Sequence, residues 1–141
     1  MTRRDEGGQT SVLLVGFFVV VVLLVVVVVD ASAAYLRRQR LDSLADGAAL
    51  AAVDGIRGEQ LYEGGLGEQV GLDPGGARAF AADYLAREAV GRYPGLRWDV
   101  STGVDSVEVE VSAPLELPIA PPGWVGGTVT GRAAAYVAVS D

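Results

Sequence analysis

The side chains able to do chemistry in this chain are few and of a narrow kind. All 11 basic residues are arginines, set against 18 acidic residues for a net charge of −7, and lysine, histidine, cysteine and asparagine are absent. Without histidine there is no imidazole base or imidazole metal ligand, and without cysteine no thiolate nucleophile or zinc–thiolate site. Without lysine there is neither a Schiff base nor a phosphate-loop lysine. An acidic chain lacking a basic patch also argues against a nucleic-acid partner. Carboxylates, hydroxyls and guanidinium groups remain.

Glu108 and Glu110 lie on one side of an alternating stretch, a spacing that suits acid–base work or Ca²⁺ binding. The commoner use of such residues is a solvated strand face that discourages edge pairing. Asp42 and Asp46 are like charges four apart, either exposed or facing a partner's arginine. Arg37, Arg38 and Arg40 form a basic collar, read as solvated or as touching phospholipid. The "DPGG" at 73–76 lacks the Lys and Ser/Thr of a phosphate loop and reads as a helix cap. These residues assign no catalytic, cofactor-binding or metal site, and the expectation is a protein that is not an enzyme.

Positioning begins with an apolar run. From Val12 to Val29 there is not one charge, and about 20 helical residues span a hydrocarbon core of about 30 Å. Valine is a mediocre helix former in water, but lipid leaves the backbone no other partner. Thr10 and Ser11 are natural N-caps for a membrane helix starting there. A competing reading is a cleaved signal, with Arg3 and Arg4 as its charged start and Ala31-Ser32-Ala33 as its cleavage pattern. The length of the run, Asp30 before the cut and the helical sequence beyond it favour an anchor.

Beyond Asp30 the pattern turns amphipathic. Leu41, Leu44, Ala45, Ala48 and Ala52 recur at three- and four-residue spacings, and small residues repeat at four, which allows close helix approach. This face is expected to pack on the chain's own domain, on neighbouring subunits, or on both. Asp54-Gly55 reads as the helix stop, with a glycine-rich loop to residue 72. Asp73 and Pro74 then open a second helix whose apolar face is Ala77, Phe80, Ala81, Tyr84 and Leu85.

Period-two segments follow. Trp98 and Val100 share one face, as do Val107, Val109 and Val111, and then Val129, Ala133, Ala135, Val137 and Val139. A proline-rich connection separates the last two and carries Trp124, a core plug or an exposed contact residue. The expected fold is α+β: a long transmembrane helix continuing into a small domain with a second helix and a three-stranded antiparallel sheet. The expected divisions are a charged stub over 1–10, a membrane helix over 11–29 and its continuation beyond the membrane over 30–54. The loop over 55–72 and the helix plus sheet over 73–141 complete them.

The N-terminal third resembles a known family. "RRDEGGQTSVLLVGFF", followed by Asp30-Ala31-Ser32, Tyr35, Arg37-Arg38, Leu41 and the run Ala45-Asp46 through Ala48–Ala52, is similar to the TadE/TadG-like proteins of Flp (tight-adherence) pilus assembly. The resemblance implies a pilin-like domain on a single-pass protein of the bacterial cell membrane, with the stub over 1–10 cytoplasmic and the chain from 30 onward extracytoplasmic. Its implied partners are membrane lipid and other pilus-assembly or pilin-like subunits met through the N-terminal helix. Processed members of such systems are cut after a glycine, with glutamate as fifth residue of the product. A cut between Gly8 and Gln9 puts Leu13 there, and a cut after Gly7 puts Val12 there. That departure favours the unprocessed, TadG-like branch over a pseudopilin subunit. A membrane-tethered adhesin-like module using the Trp124 loop, and a hydrolase using Glu108 and Glu110, are the alternatives from other classes.

Overall fold

A computed structural model describes residues 6–63, 73–89, 91–119 and 126–137, with side chains described outside 6–9 and 59–63. The chain is α+β. Helix α1 runs Glu6–Glu63, α2 runs Pro74–Glu88, and strands β1 (Arg97–Thr102), β2 (Ser106–Pro114) and β3 (Thr128–Tyr136) follow. At 58 residues, α1 is about 87 Å long. It extends past both expected ends, most tellingly at Asp54-Gly55.

Gly55 lies inside the helix, and the reason is a partner rather than a turn. The ring of Phe80 on α2 fills the space a Cβ would take at Gly55, and Tyr84 does the same at Gly47. Two notches eight residues apart on α1 thus receive two aromatic knobs four apart on α2. The order, with 47 against 84 and 55 against 80, makes the helices antiparallel. Locally, Asp-Gly is a stop signal; here, packing of the aromatic ring overrides it. The expected loop over 55–72 is therefore helical through 63, and 64–72 lie outside the described residues.

The other local signals act as their chemistry predicts. Asp73 caps α2, its carboxylate accepting from the amides of Gly75 (3.2 Å) and Gly76 (2.7 Å), with Pro74 in the first turn. A connection with positive φ at Gly91 and Gly95 then reverses the chain into β1. The sheet is an antiparallel meander, β1-β2-β3, with Val109 facing Val100 on one side and Ala133 on the other. A tight turn closed by Gly103 N–H to Ser106 C=O (2.7 Å) joins β1 to β2. The longer β2–β3 connection is pinched at its base by Leu115 N–H to Gly127 C=O (2.8 Å).

One dry layer holds these elements together. Val107, Val109 and Val111 are fully buried from the sheet side. Leu41, Ala45, Ala48, Ala49 and Ala52 meet them from α1, and Ala77, Ala81 and Leu85 from α2. Helix α1 lies over β3 and β2, and α2 over β1. The alanine face lets the backbones come close. At Gly131 in β3 a Cβ would overlap the Leu41 carbonyl and the Asp42 amide.

Candidate functional site

The apolar half of α1 stands free of the domain. Val12 and Val29, the ends of the run, are 74% and 39% exposed, and no residue of the most apolar 18-residue window, of mean hydropathy 3.7, is buried. Burying a valine or leucine side chain gains about 1.5–3 kcal/mol, so covering this bare surface with lipid or another apolar surface would be favourable. The helix is long and apolar enough to cross a membrane.

The second half of α1 is divided by face. Leu41, Leu44, Ala45, Ala48 and Ala52, the predicted packing face, all lie in the core against the chain's own α2 and sheet. Tyr35, Leu36 and Leu50 point outward, 69%, 49% and 51% exposed. Asp42 is half-buried and Asp46 exposed.

Between these halves the chain builds a polar junction. Just past the apolar run, Asp30 Oδ1 accepts the amide of Ile119 at 3.3 Å, so the β2–β3 connection descends to the last turn of the bare helix. Two turns further, Arg37 is only 18% exposed along its side chain. Its Nη1 lies 3.7 Å from Glu116 Oε2, and its guanidinium lies 5.7 Å from the centre of the Tyr93 ring. Arg37, Arg40, Arg92 and Tyr93 line a cleft of about 520 Å³. The antiparallel course of α2 explains the convergence: its last turn and the Gly91–Gly95 reversal come down to the level of Arg37. Arg37 and Arg40 belonged to the predicted collar. Arg92, Tyr93 and Glu116 did not, since no periodicity connects "GRYPG" with a segment fifty residues earlier.

Of the candidate acid pair, one member is engaged elsewhere. Glu110 is ion-paired with Arg132, its cross-strand neighbour, while Glu108 is exposed opposite Ala134 and Ser101. Among the described residues no three Asp, Glu, His or Cys gather as a metal site. Gly8 and Gln9 lie within the first turns of α1. Trp124 and Val139 fall outside the described residues.

The structure thus presents an apolar, exposed helical stretch that continues without a break into the spine of a small α+β domain. Residues 8–55 match the model of the TadE/G-like Flp pilus-assembly family, the family that the N-terminal residues resemble. The match covers about a third of the chain, ending near Gly55 and including both the bare stretch and most of the packed one. No curated protein and no solved structure matches the chain.

Proposed function

We propose that this chain is a membrane-anchored, non-catalytic component of an Flp/Tad-type pilus-assembly or related secretion apparatus. In this reading α1 crosses the cell membrane once over about residues 11–29, with the N-terminus in the cytoplasm and the domain outside. The observation that carries the reading is the coincidence of two boundaries on one helix. The family match over 8–55 covers the wholly exposed apolar stretch and the alanine face that builds the domain, and stops short of the sheet. The matched part of the chain is thus the apolar stretch and its junction with the domain, the part that neighbours in a membrane would meet. With Leu41, Leu44, Ala45, Ala48 and Ala52 engaged inside the chain, the surface left for neighbouring subunits is the outward face carrying Tyr35, Leu36 and Leu50. The implied partners are membrane lipid and other pilus-assembly subunits.

The test is the intact mass and N-terminal sequence of the chain recovered from native membranes, followed by photocrosslinking from position 36. A chain starting at Met1 or Thr2 and crosslinked to other pilus-assembly proteins is the expected result. A terminus at Gln9 makes it a processed pseudopilin, and one at Ala34 a secreted domain without an anchor. Either would overturn the reading.

A further inference from the structure

Arg37, Arg40 and Arg92 gather where the apolar stretch meets the domain, with Arg38 beside them in sequence, in a chain that is acidic overall. Three of them turn into one cleft with a tyrosine ring at its wall. Of these, Arg37 is the unusual one. Its Nε and Nη2 are buried and have no hydrogen-bond partner among the described residues. Glu116, at 3.7 Å and itself 69% exposed, supplies charge to Nη1 but lies beyond hydrogen-bonding distance. A guanidinium withdrawn from water with two donors idle costs more than a paired one, and an anion in the cleft that Arg37 lines would offset part of that cost through its charge. Arg40 and Arg92 stand opposite as exposed cations, and Arg92 is held only loosely by Glu88 at 3.9 Å.

Position names the kind of oxyanion. Arg37 stands about 12 Å along the helix axis beyond Val29, and side chains on a helix lean toward its N-terminus, here toward the bare stretch. The headgroup layer of a bilayer is about 5–8 Å thick on each side. The Arg37 side chain therefore leans back toward the depth of lipid phosphates, and the Asp30–Ile119 contact lies two turns nearer the apolar run.

We propose that the cleft of Arg37, Arg40, Arg92 and Tyr93 binds a phosphate group, presented by the headgroup of an anionic phospholipid. Arg40 and Arg92, the exposed cations, donate to the phosphate oxygens, Arg37 adds its charge from the cleft wall, and the Tyr93 ring holds the Arg37 plane in place. This assignment rests on the anchoring proposed above.

The test uses the full chain, labelled with ¹⁵N-arginine, in nanodiscs, reading the Nε–H resonance of Arg37. One sample has phosphatidylcholine alone and a second adds phosphatidylglycerol. A third has phosphatidylcholine with inorganic phosphate titrated into the buffer. A saturable shift in the second or third sample upholds the site, and the responding sample identifies the source as lipid or soluble phosphate. Arg92→Gln, at an exposed position that the fold does not need, is expected to weaken the response about tenfold, and Arg38→Gln, outside the cleft, to leave it unchanged. No shift in either sample, or an undiminished one in Arg92→Gln, overturns the proposal. So does a shift that follows only protein concentration, which would assign the cleft to a carboxylate of a second subunit. A chain that elutes apart from the nanodiscs fails the anchoring reading instead, and the phosphate titration, repeated in detergent, still decides the cleft.

Discussion

Gly131 pairs with Val111 in the sheet and lies directly beneath the α1 backbone at Leu41 and Asp42. Neither neighbour is a flexible side-chain end that can swing aside, so Gly131→Ala must lift the helix off β3. A cost of about 3 kcal/mol is expected, lowering the thermal midpoint of the detergent-solubilised chain by roughly 10–20 °C. Gly58→Ala is the opposite case. A Cβ there meets nothing within 4 Å, and alanine in a helix is better than glycine by about 0.5–1 kcal/mol. Its midpoint should rise by a few degrees. Asp73→Ala removes the acceptor for two α2 amides and should cost about 1 kcal/mol, read in the same melts.

The elements differ in how local their causes are. Hydrogen exchange of the full chain in detergent is expected to show Leu41–Ile56 among the slowest amides, because that stretch of α1 is clamped between α2 and the sheet. Rapid exchange from Asp30 through Ala52 would refute its role as a spine. The strands were legible because alternation is a local pattern: Val107, Val109 and Val111 declare one face whatever packs on it. The α2 cap was legible for the same reason, since Asp73 reaches amides only two and three residues on. The end of α1 was not, because what decides Gly55 is Phe80, a residue on another helix. The cleft was half legible. Arg37 and Arg40 stand out beside an apolar run, but Arg92 and Tyr93 join them only through the antiparallel return of α2.

At the scale of the whole molecule, the bare helix sets where the protein can live. A charge at its middle, Val20→Arg, should cost about 2.5–3.5 kcal/mol of insertion and shift the chain from the carbonate-resistant membrane fraction toward the soluble one. A charge change far from the span, Arg57→Gln, should leave fractionation as it was. Between the span and the domain there is no linker: α1 is helical through every residue from Val29 to Leu41, and Asp30 holds the β2–β3 connection beside it. Mechanically, that makes the anchor and the domain two ends of one strut. Inserted in a bilayer as proposed, the helix would deliver its tilt or twist directly to the sheet some tens of ångströms away, and a pull on the sheet would become a bending moment in the membrane. Along the described length of α1 no break in the helix would absorb that load.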